Sequence, residues 1–173
     1  MKAEEIIALI NEKDYLLADG ATGTNLFDVG LEAGYPPELW NEEKPDLVSN
    51  NHKNFIEAGS DIILTNSFGA NKYRLALHNC EDRVRDINFS AAQIARRNAD
   101  LSEKKVLVAG SIGPTGEILH PIGPLSIEDA ILAFTDQAMA LKEGGSDLLW
   151  IETMSSSEEM DAAISAAVKT GLP

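Results

Sequence analysis

The sequence predicts an α/β fold in which parallel strands alternate with helices, and two observations carry that prediction. The first is an internal repeat. Residues 57–66 (EAGSDIILTN) and 143–152 (EGGSDLLWIE) both contain a helix end, a glycine, Ser-Asp and an apolar run that ends in one polar residue. The second is spacing. With further apolar runs at 16–19 and 106–110, the four predicted strands begin at 16, 61 or 62, 106 and 148, at intervals of about 42 to 45 residues. Such a repeated unit predicts a parallel sheet whose strand tips share one face, where α/β barrels carry their active sites.

The helices between these strands are each predicted from a local signal. A lead-in helix is expected over residues 2–10. Pro45 occupies a favoured first helical position, and Gly59 marks where that helix stops. Ser126 and Asp129 resemble a capping box, which predicts the start of another helix. Apolar side chains at helical spacing predict two more helices, over 84–95 and 160–168.

The predicted strands are continuously apolar, which is typical of a parallel sheet that is covered on both faces. Four strand-and-helix units fit either the first half of a closed barrel or an open doubly wound domain, and periodicity leaves both open. A closed (β/α)8 barrel needs eight units and typically about 250 residues. A fifth strand is expected to begin at residues 171–173.

Composition limits the classes of partner. The net charge is −14 and 44% of the residues are hydrophobic, so the chain can supply a core beneath an acidic surface. That surface disfavours nucleic acid and anionic membranes as partners. The N-terminus lacks the basic and then apolar run of a signal peptide, and no stretch approaches the roughly 18 apolar residues of a membrane span. With Cys80 as the single cysteine, no internal disulfide forms, and we expect a cytoplasmic protein.

Polar residues follow each predicted strand. The first loop, 19–24 (DGATGT), has two glycines whose backbone amides can approach an anion, but it lacks the glycine spacing of a nucleotide cradle. Glu152 places a carboxylate behind an apolar run, where it either binds a substrate ammonium or makes a structural hydrogen bond. We therefore expect Asp19, Asn66, Ser111 and Glu152 at one end of the sheet.

Taken together, four motifs resemble the homocysteine S-methyltransferase family in order and spacing: 19–24 (DGATGT), 64–71 (LTNSFGAN), 110–114 (GSIGP) and 151–153 (IET). The resemblance implies a TIM (β/α)8 barrel of which this chain supplies about the first four βα units. It implies that residues 1–173 are the N-terminal half of a homocysteine-binding barrel from a longer enzyme.

The resemblance also implies a function and a set of binding residues. The reaction would be methyl transfer to homocysteine from betaine or a similar small donor, giving methionine. Asp19 and Glu152 would bind the amino group of homocysteine, and backbone amides near Gly20 and the second strand tip would bind its carboxylate. Thr24 and Asn66 complete the predicted substrate-binding set.

Three alternatives remain beside this function. The chain would otherwise be the homocysteine-binding barrel of a cobalamin-dependent methionine synthase, with folate and cobalamin domains downstream. It would otherwise be a non-catalytic half-barrel binding subunit, or an unrelated open α/β enzyme. A half-barrel with open sheet edges is expected to form homo-oligomers or to pair through those edges.

The family's zinc ligands have no counterpart in this chain. The resemblance implies three cysteine ligands, and Cys80 between Asn79 and Glu81 matches none of them. No cysteine or histidine stands at ligand spacing, since His52 and His120 are isolated. Zinc is therefore expected in the complete enzyme with ligands outside this chain, and cobalamin only with further domains. No catalytic residue is assignable within this half.

Overall fold

The structure is a computed structural model that describes residues 3–173. Eight α-helices and three strands follow one another along that part of the chain. In order they are α1 (Ala3–Lys13), α2 (Thr22–Asp28), α3 (Trp40–Glu43), α4 (Pro45–Ala58), β1 (Ile62–Leu64), α5 (Lys72–Ala76), α6 (Val84–Asp100), β2 (Leu107–Ile112), α7 (Ile127–Glu143), β3 (Leu148–Ile151) and α8 (Ser157–Val168). Two short 3-10 turns cover Pro37–Leu39 and Glu81–Arg83.

The three strands form a parallel sheet in the order β1-β2-β3. Ile62 lies opposite Leu107, and Ala109 lies opposite Leu148. This confirms three predicted strands, their parallel direction and their sequential order. Beyond β3, the backbone N–H of Leu149 donates to the carbonyl of Pro173 at 2.8 Å, where the next strand was expected to begin.

The prediction of a first strand over 16–19 is wrong, because that segment makes only one isolated parallel bridge, between Ala18 and Ile62. The N–H of Leu64 in β1 donates to the side chain of Asp19 at 2.9 Å, where a ladder would use a backbone carbonyl. In addition, the Asp61 side chain accepts the backbone N–H of Leu17 at 3.1 Å. The segment still lies parallel to β1, so the predicted order holds.

Local signals placed most helices correctly. Pro45 lies in the first turn of α4, and Gly59 ends that helix with φ +116°. The Ser126 side chain accepts the backbone N–H of Asp129 at 3.0 Å at the start of α7. The lead-in helix begins at Ala3 and runs to Lys13, with Lys2 outside the described residues. Three short helices were missed, namely α2, α3 and α5, and α2 begins inside the segment expected to be the first loop.

Both faces of the sheet are covered, as the continuously apolar strands predicted. On the face that α1 covers, Ile62, Leu107 and Leu148 of the three strands pack with Ile6 and Leu9 of that helix. On the outer face, the largest cluster is built around helices α7 and α8, where Phe134 and Leu141 are fully buried beside Ile112 of β2. Within residues 3–173, no helix combines the length and the apolar composition that crossing a bilayer requires.

Candidate substrate-binding cleft

A cleft of about 290 Å³ lies at the C-terminal ends of the strands. Its walls are residues 20–23, residues 37–38, residues 64–68, Ser111 and Glu152. These come from five segments that the parallel sheet brings to one end. The volume is near the lower limit for small-molecule pockets, which suits a ligand of amino-acid size.

Glu152 is the best-placed carboxylate of this cleft. It is half-buried, and its Oε1 accepts a hydrogen bond from the hydroxyl of Ser111 at 2.7 Å. Ser111 is itself held by the neighbouring strand tip, because its N–H donates to Thr65 Oγ1 at 3.0 Å and its carbonyl accepts from Ser67 Oγ at 2.8 Å. The carboxylate of Glu152 is therefore oriented by a hydrogen-bond chain that reaches the end of β1.

Asp19 lies close enough to Glu152 to feel its charge, but it is not among the residues that line the cleft. Its Oδ2 accepts the backbone N–H of Leu64 at 2.9 Å, which ties the first segment to β1. Burial, together with the negative charge of Glu152, raises the pKa of Asp19 to about 6, against the opposing effect of the hydrogen bond from Leu64. Because no lysine, arginine or histidine side chain of residues 3–173 lines the cleft, the carboxyl groups of Glu38 and Glu152 that line it favour a cationic ligand.

Asn66 lines the cleft, but most of its polar groups are used within the protein. Its side-chain amide donates to the carbonyl of Pro37 at 2.8 Å and to Asn41 Oδ1 at 3.2 Å. Asn41 returns a hydrogen bond to the carbonyl of Asn66 at 2.8 Å. Both N–H bonds of the Asn66 amide have acceptors, which leaves its side-chain oxygen to face a ligand.

Gly20 and Thr24 differ in their relation to the cleft. Gly20 lines it, and a Cβ at this position would lie 3.3 Å from the ring of Phe55. Thr24 lies in α2, is exposed and does not line the cleft. Ala21, which precedes α2, makes no side-chain cap, so the first backbone N–H groups of α2 have no capping acceptor.

Sequence reasoning missed Glu38, which also lines the cleft. Only 5% of its surface is exposed, and its Oε1 accepts the backbone N–H of Gly69 at 2.6 Å. Burial raises the pKa of Glu38, while the Gly69 amide and the charges of Arg74 and His78 oppose that shift. A carboxylate between Pro37 and Leu39 in a short 3-10 turn carries no sequence signal that separates it from a surface residue.

Comparison with known proteins identifies the family. The family model for homocysteine S-methyltransferase matches residues 16–173. The chain belongs to the homocysteine S-methyltransferase family. The resemblance inferred from the four loop motifs is thereby confirmed.

Two curated members and one solved structure indicate how much of a homocysteine S-methyltransferase this chain covers. It is 34% identical over 160 residues to the methionine synthases of Mycobacterium tuberculosis and Mycobacterium leprae, covering 86% of this chain and 13% of each relative. The oxidized form of the homocysteine methyltransferase MmuM from Escherichia coli matches with a TM-score of 0.79 and 26% identity. That match covers 95% of this chain and 61% of MmuM. The chain thus spans about an eighth of the methionine synthases and three fifths of MmuM.

A metallated form of MmuM matches with the same TM-score of 0.79. Within residues 3–173, no group of three or more His, Cys, Asp or Glu side chains is arranged to hold a metal ion. Cys80 is buried, and its thiol donates to the carbonyl of His78 at 3.3 Å. The described residues therefore do not fit a zinc ion.

Proposed function

We propose that this protein acts as a homocysteine S-methyltransferase, transferring a methyl group from betaine or a similar small onium donor to homocysteine to form methionine. The observation that carries the proposal is the carboxylate of Glu152 in a cleft that no basic side chain of residues 3–173 lines, with Asp19 close enough to feel its charge, within this family. Two carboxyl groups at a half-buried site favour the ammonium group of an amino acid.

The proposed binding mode assigns one part of homocysteine to each part of the cleft. Asp19 and Glu152 bind the ammonium group. The backbone amides near Gly20 and at the second strand tip bind the carboxylate. The side-chain oxygen of Asn66 completes the wall, and Thr24 stays a prediction at the exposed side of α2.

The proposed reaction is one nucleophilic displacement. The sulfur of the homocysteine thiolate forms a bond to the donor methyl carbon while the bond from that carbon to the onium nitrogen breaks. The electron pair of the broken bond stays on nitrogen, which leaves as a neutral tertiary amine. The thiol must first lose its proton to solvent, because an ordinary thiol with a pKa near 8.5 is mostly protonated at pH 7. The residues of this chain bind and orient the substrate.

We propose that residues 1–173 are the first four βα units of a TIM (β/α)8 barrel. The sequential parallel order and the hydrogen bond from Leu149 to Pro173 support this arrangement. Trp150 on the last strand is 37% exposed, which supports pairing of this edge with another strand or another copy. Light scattering after size exclusion tests that pairing, and a monodisperse monomer would contradict it.

The second proposed function is the homocysteine-binding barrel of a cobalamin-dependent methionine synthase. The 34% identity to the mycobacterial methionine synthases favours it. It shares the homocysteine site and differs in the donor, which would be presented by other domains. A third possibility is a non-catalytic half-barrel that only binds homocysteine. A methyl-transfer assay of the complete protein separates it from both enzymes, because it would show no transfer.

The test is a homocysteine titration of the wild type and of Glu152→Gln. The substitution removes one charge but keeps the shape, and loss of a hydrogen bond to a charged group costs about 1.5–3 kcal/mol, or roughly tenfold to a hundredfold in affinity. Glu103→Gln is the matched control, because Glu103 is exposed and precedes β2 at the opposite end of the sheet. Equal affinity of Glu152→Gln and the wild type would assign Glu152 to a structural role.

A further inference from the structure

Thr153, directly after Glu152, has a backbone conformation that threonine rarely adopts. Its φ is +59°, in the left-handed region. Within residues 3–173, the other non-glycine residues with positive φ are Asp14 and Asn79. Aspartate and asparagine are enriched in that region, whereas the branched Cβ of threonine makes the conformation strained. The chain thus keeps a strained residue next to the carboxylate that lines the cleft.

Hydrogen bonds on both sides hold the strained residue in this conformation. Before it, the backbone N–H of Glu152 donates to the carbonyl of Ile112 at 3.0 Å. After it, the backbone N–H of Ser155 donates to Oε2 of Glu159 at 3.1 Å. Glu159 is fully buried, and its Oε1 accepts the N–H and the hydroxyl of Thr115 at 2.9 and 2.6 Å. The turn after β3 is therefore fixed at both ends, which is the condition under which backbone strain persists, and such strain is concentrated at functional sites.

A second contact fixes the side chain of Glu152, because Ser111 Oγ donates to its Oε1 at 2.7 Å. The backbone of Ser111 is itself held at both ends by hydroxyl groups, its N–H by Thr65 Oγ1 and its carbonyl by Ser67 Oγ. The two hydroxyl oxygens are 2.6 Å apart. Since the proton of the Ser67 hydroxyl goes to the Ser111 carbonyl, Thr65 must be the donor between them. Three hydrogen bonds thus begin and end on the backbone of Ser111, and they hold its hydroxyl against Glu152.

The fixed turn and the fixed hydroxyl have the same consequence for a ligand. Because Oε1 of Glu152 is bonded to Ser111, the ligand is offered Oε2. A glutamate that rotates freely loses side-chain entropy when it binds an ammonium group, whereas a carboxylate that is oriented beforehand does not. Strain at Thr153 lowers the stability of the fold, and the orientation that it maintains strengthens binding of the ammonium group.

We propose that Thr153 and Ser111 are positioning residues for Glu152, and that together they make the cleft select ligands that carry an ammonium group. The strained turn at Thr153 directs the side chain of Glu152 into the cleft, and Ser111 fixes its carboxylate. This inference rests on the proposed function and names the residues that set its selectivity for the amino group. Relief of the strain should stabilise the chain and weaken binding at once, which the loss of a purely structural residue would not do.

The experiment titrates the 173-residue chain by isothermal calorimetry with homocysteine and with 4-mercaptobutyrate, which lacks only the amino group. We expect Thr153→Gly to weaken homocysteine binding about threefold to tenfold and to leave the affinity for 4-mercaptobutyrate unchanged. Its Tm should rise, because glycine adopts positive φ without strain. Asn79→Gly is the matched control, since it also replaces an exposed residue of positive φ (+55°) but does not line the cleft. It should leave both affinities unchanged.

Ser111→Ala tests the second contact by itself. The substitution removes the hydroxyl that Glu152 accepts and keeps the backbone groups that Thr65 and Ser67 hold. It should also weaken homocysteine binding about threefold to tenfold without changing the affinity for 4-mercaptobutyrate. In a Glu152→Gln background this further loss should disappear, because the charge that the hydroxyl orients is gone.

Three results would overturn the inference: a lower Tm together with weaker binding in Thr153→Gly, equal weakening of both ligands, or the same selective loss in Asn79→Gly. The Glu152→Gln titration separates this inference from the proposed function. Unchanged homocysteine affinity in Glu152→Gln contradicts the proposed function. A loss in Glu152→Gln that neither Thr153→Gly nor Ser111→Ala reproduces contradicts only the positioning role.

Discussion

The two repeated segments, 57–66 and 143–152, begin in the same way and end differently. Gly59 and Gly145 both adopt positive φ, +116° and +109°. Each is followed by a buried serine and an aspartate, and each aspartate accepts a backbone N–H from the preceding segment. For Asp61 the donor is Leu17 at 3.1 Å, and for Asp147 it is Val108 at 2.9 Å.

The ends of the two segments differ because their neighbours differ. Asn66 follows β1, which lies between the 16–19 segment and β2. The side-chain amide of Asn66 is hydrogen-bonded to Pro37 and Asn41. Glu152 follows β3 at the edge of the sheet and keeps a half-buried carboxylate. The comparison shows that equivalent strand tips acquire different roles from the segments that pack around them.

The largest expected effect is a difference in stability between the two tips. Asn66→Ala leaves the Pro37 carbonyl and Asn41 without a donor, and should lower the free energy of unfolding by roughly 2–4 kcal/mol. Glu152→Ala should cost less than about 1 kcal/mol, because the hydroxyl of Ser111 lies beside an open cleft and water replaces the lost acceptor. Urea unfolding followed by circular dichroism measures both. Equal losses would contradict the division into a structural tip and a ligand-binding tip.

The helices that precede the two segments carry different residues at one equivalent buried position, and this difference should make stability depend on pH. Seven residues before each positive-φ glycine stand His52 and Ala138, both fully buried. Burial lowers the pKa of His52 to about 4, and neither ring nitrogen has a partner within the described chain. The unfolded state takes up a proton near pH 6.5 and the folded state only near 4. Stability is therefore present above pH 6.5 and is lost as pH falls through 4, by up to about 3 kcal/mol.

The control for this acid sensitivity is His52→Leu, which replaces the titratable imidazole with an apolar side chain of similar size. The difference in unfolding free energy between wild type and variant should change between pH 7 and pH 4.5. A constant difference across that range would mean that His52 is solvated or hydrogen-bonded in solution.

Asp19 interacts with both segments, through Leu64 and through the charge of Glu152. We expect its replacement to raise stability and to lower homocysteine affinity. Its folded pKa of about 6 lies above the ordinary 3.8, so its contribution to stability is present below pH 3.8 and is lost as pH rises through 6. Asp19→Asn cannot ionise, and should be more stable than wild type at pH 8 by about 1–2 kcal/mol after allowance for partial exposure. The gain should vanish below pH 4, and homocysteine affinity at pH 8 should fall. A variant that is less stable than wild type at pH 8 would show that the ionised carboxylate is stabilised.

The smallest expected effect tests the shared start of the two segments. Gly59→Ala and Gly145→Ala each force a side chain into positive φ, which costs about 1–2 kcal/mol. A Cβ on Gly145 would lie 3.1 Å from the flexible side chain of Arg96, and one on Gly59 would meet nothing within 4 Å. Thermal unfolding should therefore show similar losses, slightly larger at Gly145. A loss at only one glycine would mean that the two starts are not equivalent.

Local signals in the chain were enough to predict the repeated unit, three of the strands and the five longer helices. Pro45, Gly59 and Ser126 act through backbone geometry and capping within a few residues of themselves, so their effects can be predicted without knowledge of the tertiary structure. The missed helices α2, α3 and α5 are seven, four and five residues long, too short to show an apolar period. The 16–19 segment failed as a strand because the side chains of Asp61 and Asp19 accept the N–H groups of Leu17 and Leu64, which backbone carbonyls would accept in a ladder.

The family and the acidic character of the cleft follow from residue types at strand tips, because parallel strands bring their C-terminal ends to one side of a sheet. Tertiary structure alone decided which polar groups remain available. It used the amide of Asn66 for the 37–41 segment, placed Thr24 on the outside of α2, and buried Glu38 beside the cleft. These outcomes depend on contacts between residues far apart in the chain. Asn41 and Asn66 are 25 positions apart, and Ser111 and Glu152 are 41 positions apart, so no local sequence pattern predicts which residues meet.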